Sequence, residues 1–423
     1  MVLATLAAAA TTIAPPAVAK TLSQQRQYVL NAPEQDLQAI GQHLMFGYHA
    51  LWQLRPLMER GALGGIFVTD HNARAFKTPD TLQQHIAELR ELAKAKLPRP
   101  LWVAVDQEGG LVSRLSPPLP RPISLQNLIG SPAVAMSGSR DKTVQTFSIE
   151  KAKALAILGV NINFSPVVDL RPNRRLKRDR YTVLRRRAIS ADPDTIGEVA
   201  TDYCAALIAH GVLCTLKHFP GLAEVPADTH IRGAKLTKQT EALAEQDWRP
   251  FRHVLSQTDA AIMVGHPLLS EVDAKYPAST SKAAISGILR EQWGFDGLVI
   301  TDDFYMGAIR KRRGGMGKAA VDALNAGSDI VLISRDASEL YPVIYKVLKA
   351  YQDGKLDKQM LAASRKRLDA AIQRIEEAQT ATLIPELPGL ADAAAGAPEL
   401  EIVPPAPQET SRNPNIQLRK TLE

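Results

Sequence analysis

The chain is poor in cysteine and lacks any long unbroken apolar run. Only Cys204 and Cys214 are present, which excludes a disulfide-scaffolded fold and a cysteine-built zinc site. The two read most simply as small buried apolar residues, with a bridge between them open in an oxidising compartment. No apolar stretch is long enough to cross a bilayer, so stable membrane insertion is not expected. No G-x-G-x-x-G follows an apolar run, which argues against a dinucleotide-binding sheet. No H-x-H or H-E-x-x-H pattern gathers metal ligands at a familiar spacing. Lys and Arg are also missing from the start, MVLATLAAAATTIAPPAVA, so the usual positive segment of a secretory signal is absent. Ala17-Val18-Ala19 ahead of Lys20 nevertheless has the A-x-A form of a cleavage site. Residues 1–19 are therefore read as an export signal, with the protein expected in the periplasm or outside the cell. The alternative is an Ala-rich leader on a cytoplasmic chain.

The 423 residues are 45% hydrophobic and 22% charged, the balance of a soluble globular protein with a full core. The net charge of +7 is localised: residues 171–187 hold nine Lys or Arg against Asp179 alone, and Arg310-Lys311-Arg312-Arg313 forms a second basic run. Such runs are solvated faces or anion-binding surfaces. No nucleic-acid partner is expected, and a monomer is favoured.

After a polar, partly helical lead-in at 20–39, short apolar runs alternate with amphipathic stretches. The candidate strands are 40–47, 64–69, 100–105, 160–165, 212–217, 260–265, 298–301 and 329–334. Continuous apolar runs of this length are what strands buried on both faces look like. Helical spacing of apolar residues follows at 82–94, 142–158, 195–210, 240–255, 282–293, 318–326, 338–351 and 358–379. Several of these stretches stop at a glycine (Gly159, Gly211, Gly294, Gly327), as a left-handed C-cap requires. The pattern predicts an α/β fold, a single (β/α)8 TIM-type barrel over residues 20–379, rather than a doubly wound open sheet. Polar groups stand at the end of every strand: Tyr48 and His49, Asp70 and His71, Asp106 and Glu108, Asp169, Lys217 and His218, His266, Asp302 and Asp303, and Arg335. A barrel brings them to one mouth; an open sheet spreads them along an edge. Residues 380–423 are rich in Pro and Ala with no aromatic residue, and are expected to be a disordered tail.

The densest cluster of ionisable groups is KHFPGLAEVPADTH, residues 217–230, directly after the fifth apolar run. A strand end gives such groups a rigid seat and the loop gives them reach. Asp302, at the tip of the seventh strand in GLVITDDFYM, is the carboxylate that the loop carrying Asp228-Thr229-His230 would face. A nucleophilic carboxylate opposed by a proton donor suits glycoside hydrolysis with retention. An Asp two residues from a His can orient the imidazole and support its charge. The alternative is metal binding by Asp228 and His230, for which no further ligands stand at a familiar spacing.

Four segments carry a resemblance. VDQEGGLVSR, residues 105–114, resembles the D-x-E-G-G-x-V-x-R signature of family 3 glycoside hydrolases. NFSPVVD, 163–169, resembles that family's N-F-[AS]-P-V-x-D. KHFPG with Asp228-Thr229-His230 is similar to the K-H-F-P-G…D-[ST]-H loop of its bacterial β-N-acetylhexosaminidase branch, and GFDGLVITDDFYM, 294–306, to its nucleophile segment. The resemblance implies Asp302 as nucleophile, His230 as acid/base and Asp228 as its partner. It implies Asp106, Arg114, Lys217 and His218 as sugar contacts, and Arg187, which stands before Ala188-Ile189-Ser190-Ala191-Asp192-Pro193, as a further one. His266 falls on a strand-six histidine whose role in the family is structural. The family's β-glucosidases add a second domain for which the chain has no counterpart, so a self-contained barrel with an acid/base loop fits the hexosaminidase branch better. Where the family loop continues with His-Gly, this chain has Leu222-Ala223, at unchanged loop length.

The implied activity is a retaining exo-β-N-acetylglucosaminidase acting on peptidoglycan fragments or chitooligosaccharides, without metal or organic cofactor. The basic runs fall on the mouth side, where they would attract an anionic glycan. The alternatives are a family 3 β-glycosidase or phosphorylase of other specificity, and a non-catalytic glycan-binding relative.

Overall fold

Each strand is short and buried on both faces, and its side chains alternate between two cores. The eight that form the main sheet are β1 Leu44–Gly47, β2 Gly65–Val68, β3 Trp102–Val105, β4 Ile162–Asn163, β5 Leu213–Phe219, β6 Ala261–Val264, β7 Val299–Thr301 and β8 Val331–Ile333. Met45, Phe67, Trp102, Ala104, Ile162, Met263, Ile300 and Leu332 form an inner cluster. Their neighbours Phe46, Ile66, Val68, Val103, Val105, Val264 and Ile333 belong to an outer one shared with the helices. Burying each larger side chain contributes about 1.5–3 kcal/mol.

The computed structural model describes residues 20–173, 180–334 and 339–381. The expected export signal, the centre of the first basic run (174–179), Arg335 and all but the start of the expected tail lie outside the described residues. Among the described residues no helix is long and apolar enough to cross a membrane.

All pairings in the main sheet are parallel, and its strands lie side by side in chain order from β1 to β7, with β8 against β1. Ile300 bridges Ile330 in parallel, and the Thr301 and Phe304 amides donate to the Ile330 and Leu332 carbonyls. The sheet is thus nearly closed into a barrel. The doubly wound alternative requires a reversal of strand order, and there is none. β1 starts later than the sequence suggested, because the helix Glu34–Gly41 runs through Ile40. β5 runs two residues further, to Phe219.

Helix starts follow capping chemistry. Thr78, Ser139 and Asp192 each accept an amide from the first turn of Pro79–Lys94, Arg140–Ile157 and Pro193–Ala209, worth about 1 kcal/mol apiece. The single helix expected over 240–255 is two, Thr240–Glu245 and Arg249–Leu255. Pro250 lacks an N–H and sits in the first turn of the second, where that lack costs nothing. The last helix, Lys358–Ala381, adds Leu368, Ala371, Ile372 and Ile375 to the inner cluster. Its Arg367 and Gln379 reach Asp329 and the Gly211 carbonyl, just before β8 and β5, so this helix seals the end of the barrel where the strands begin. The Cys204 and Cys214 sulfurs meet at bonding distance with their Cα atoms 5.2 Å apart, a bridge that the sequence left open.

Candidate active site

At the opposite end, the strand tips surround a cavity of about 300 Å³. Asp106, Arg114, Arg187, Lys217, His218, His230 and Asp302 all line it. Lys217 and His218 stand on β5 itself and the others on the loops after β3, β4, β5 and β7, so the closed sheet brings them together. Asp228 does not line the cavity. It is buried behind His230.

Two neighbours on one strand, Lys217 and His218, both face the cavity, against the alternation of an ideal strand. A register shift against β6 between Lys217 and Phe219 permits this, as bulges re-aim side chains. Lys217 Nζ donates to Asp106 Oδ1 and to Glu108 Oε1, each at 2.6 Å. Arg187 grips Glu108 with Nε at 2.9 Å and an Nη at 2.6 Å, and its other Nη donates to the Thr182 carbonyl. Burial raises the Glu108 carboxyl, but Arg187 and Lys217 outweigh it and hold the group well below the usual carboxylate range. Glu108 is thus an anchor for two cations rather than an open carboxylate. Behind this loop, Lys151 donates to the Gln107 and Glu108 carbonyls at 3.3 and 2.9 Å. Its burial lowers the ammonium to about 7.

The imidazoles are oriented by carboxylates. Asp169 Oδ2 lies 2.6 Å from His218 Nδ1 and also accepts the His218 amide, while its Oδ1 accepts the Leu222 amide. Leu222 is buried and is absent from the cavity lining. Asp228 Oδ1 lies 2.8 Å from His230 Nδ1. In both pairs Nδ1–H donates to the carboxylate, leaving Nε2 for other work. His266 Nε2–H donates to the Asp303 carbonyl at 3.0 Å and its Nδ1 accepts from Ser279 at 2.8 Å. With both ring nitrogens engaged, it braces the β7 loop.

Among the described residues Asp302 has no cationic hydrogen-bond partner; its Oδ1 accepts the Asp303 amide at 2.8 Å. Burial raises its carboxyl, yet His218, His266 and His230 together bring it below its ordinary value, so it stays ionised. The adjacent Asp303 is pushed up by burial and ties the Tyr305 and Ser334 amides together. One of these two aspartates is therefore open and the other structural.

The basic runs divide. Lys311 donates to the Ile231 carbonyl and Arg312 to the Lys275 carbonyl, so these two brace loops. Arg310 lines the cavity with its guanidinium 4.6 Å from the Tyr305 ring centroid. Asp228 and His230 find no third metal donor: among the described residues no group of three or more His, Cys, Asp or Glu is placed to hold a metal ion. A wider groove of about 1290 Å³ near the strand starts, along Arg252, His253 and Trp293, has its acids engaged in surface ion pairs, Asp194 with Arg249, Asp296 with Arg367 and Asp259 with Arg374. Sequence reasoning did not assign roles to Glu108, Asp169, Tyr181 or Thr182. The first two stood inside quoted motifs; the last two carried no local signal.

Residues 38–375 match the model of the glycosyl hydrolase family 3 N terminal domain. A beta-hexosaminidase of Xanthomonas oryzae pv. oryzae is 33% identical over 285 residues, 66% of this chain and 79% of that protein. One from Idiomarina loihiensis is 30% identical over 293 residues, 69% of this chain and 82% of that protein. Among solved structures, a family 3 beta-N-acetylglucosaminidase from Paenibacillus superposes with a TM-score of 0.73 at 28% identity. The match covers 83% of this chain and 64% of that longer one. A family 3 glycosyl hydrolase from Mycobacterium smegmatis gives 0.69 at 30% identity, covering 81% and 98%.

Proposed function

The chain belongs to glycosyl hydrolase family 3, and from that premise we propose that it is a retaining exo-β-N-acetylglucosaminidase, its catalytic domain spanning residues 20–379. The observation that carries the reading is a carboxylate and an imidazole sharing one cavity: Asp302 at the tip of β7 and His230 on the loop after β5, with Asp228 behind the imidazole. The names of the relatives supply the sugar class.

In the first step the Asp302 carboxylate attacks the anomeric carbon as the bond to the leaving oxygen breaks. The imidazolium of His230 gives its Nε2 proton to that oxygen, and a glycosyl ester remains on Asp302. In the second step neutral His230 takes a proton from water through Nε2. The resulting hydroxyl adds to the anomeric carbon, and Asp302 leaves as a carboxylate. Asp228 stabilises the imidazolium in both steps. Asp106, Arg114, Lys217 and His218 hold the sugar hydroxyls. Arg187, largely committed to Glu108 and the Thr182 carbonyl, acts chiefly by keeping Glu108 and Lys217 in place.

The substrates are fragments of peptidoglycan or chitooligosaccharides, with the exposed Arg310 favouring an anionic leaving group. Export to an oxidising compartment agrees with the Cys204–Cys214 bridge. A non-catalytic relative would be favoured by Leu222-Ala223, which stand where the family loop has His-Gly. Leu222 is packed away from the cavity and its amide still engages Asp169, which favours the enzyme. The test is hydrolysis of 4-nitrophenyl β-N-acetylglucosaminide by the purified full chain, with aryl glucosides, xylosides and added phosphate as controls. Release of nitrophenol only from the N-acetylglucosaminide supports the reading, and preference for another glycoside, or for phosphate as acceptor, contradicts it.

A further inference from the structure

We propose that Thr182, on the loop that follows β4, is a positioning residue for the acid/base pair, and that its hydroxyl sets the heading of His230. The inference rests on His230 being the acid/base. The Asp228 carboxylate accepts from two loops at once. Its Oδ2 takes the Tyr181 amide at 2.9 Å and the Thr182 amide at 3.4 Å. Its Oδ1 takes the Thr182 hydroxyl at 2.9 Å, the His230 amide at 3.0 Å and His230 Nδ1 at 2.8 Å. The Thr182 hydroxyl also lies 3.3 Å from His230 Nδ1, so one side chain touches both members of the pair.

The opposite side of the acid/base loop is fastened as well. The Gly307 and Ala308 amides donate to the His230 and Thr229 carbonyls at 2.8 and 3.1 Å. A Cβ on Gly307 would come within 2.2 Å of the Ile231 carbonyl oxygen, so the approach depends on that glycine. These backbone bonds place the loop but leave the Asp228 side chain free to turn. Among the described residues the segment at 181–182 and His230 itself hold the carboxylate. Next to it, Val183 has a φ of 35°, a left-handed conformation that costs a β-branched residue ~1–3 kcal/mol. Strain kept beside a functional group is a mark of position being selected over local stability.

The chemistry follows from saturation. Five donors on one carboxylate keep it ionised, and burial is overcome: Asp228 lies well below the usual carboxylate range. An ionised, immobile Asp228 holds Nδ1–H, so Nε2 alone exchanges a proton with the glycosidic oxygen. Without the Thr182 hydroxyl, Oδ1 loses the one donor among the described residues that does not belong to His230. The carboxylate can then rotate, and proton delivery suffers while nucleophilic attack by Asp302 does not.

The test is a leaving-group series of aryl and alkyl β-N-acetylglucosaminides, run on the full chain and on Thr182→Val, Thr182→Ser and His230→Ala. Thr182→Val is expected to lower kcat/KM, which reports the first step, about tenfold or more on poor leaving groups, with little change on dinitrophenolate, which needs no protonation. Thr182→Ser is expected to restore most of the loss. If Thr182→Val fails to fold, as judged by its thermal midpoint, Thr182→Ala is read on the same series. Equal loss on every leaving group, no loss, or failure of Thr182→Ser to rescue would overturn the inference. If His230→Ala depends on the leaving group and the Thr182 variants do not, the positioning role alone falls. If His230→Ala does not, the acid/base reading and this inference fall together.

Discussion

The two ends of the barrel bury charge in opposite ways. Where the strands begin, Asp329 is fully buried and is met by Arg290 at 2.6 Å, by Arg367 at 2.9 Å and by the Val299 amide at 2.8 Å. The last helix covers this set. Where the strands end, Glu108 is neutralised just as completely, by Arg187 and Lys217, but Asp302 faces an open cavity with, among the described residues, the Asp303 amide alone on its carboxylate. Closed pairs at the base hold the barrel together, whereas at the mouth the paired groups frame one that is left unpaired. An unpartnered carboxylate is the part a structure would discard if stability alone mattered.

The variant expected to divide the two ends most sharply is Asp302→Ala. Turnover should fall by at least about 1000-fold, with the thermal midpoint unchanged or raised; retained activity would erase the distinction. Asp329→Ala is the converse. It leaves the part-buried Arg290 without its carboxylate and Arg367 with the exposed Asp296, and should cost about 3–5 kcal/mol in denaturant unfolding, while the folded fraction keeps its kcat.

The base should also govern how stability responds to acid. His43 is buried, its Nδ1–H donates to the Asp329 carbonyl at 3.0 Å, and its Nε2 has no partner among the described residues. Burial, only partly opposed by Asp329, lowers it to about 4 from the ordinary 6.5. Between those values the unfolded chain binds a proton that the folded one does not. The contribution is therefore complete above pH 6.5 and is lost as pH falls towards 4, on the order of 3 kcal/mol. Urea unfolding across this range should show the fall, and His43→Asn should flatten it. The smallest effect belongs to the rim. Arg310→Gln should lower kcat/KM on an anionic aglycone by at most about fivefold, the worth of an exposed ion pair. A neutral chitobiose substrate should not respond. Equal salt dependence for both substrates would remove Arg310 from recognition.

Much of the mouth was legible because its residues stand at the ends of apolar runs. Asp106 and Asp302 directly follow a strand and Lys217 and His218 close one, and chain-order closure brings strand ends together. What the sequence concealed is pairing at a distance. Thr182 meets Asp228 across 46 residues, His218 meets Asp169 across 49, and Arg187 meets Glu108 across 79. No periodicity encodes such partners. The basic run at 310–313 looked uniform in one dimension, but backbone carbonyls from two other loops claim Lys311 and Arg312 and leave Arg310 to the cavity. The break in the helix expected over 240–255 was equally hidden, since apolar spacing continues through the point where Pro250 starts a new helix.

Catalysis as proposed requires that Asp302 form a bond to the sugar. The direct measurement is mass spectrometry of His230→Ala, in which the second step lacks its base, quenched during reaction with dinitrophenyl β-N-acetylglucosaminide and then digested. The account predicts one N-acetylhexosaminyl unit on the peptide carrying Asp302. Active protein with no adduct, or with the sugar on another residue, would contradict it.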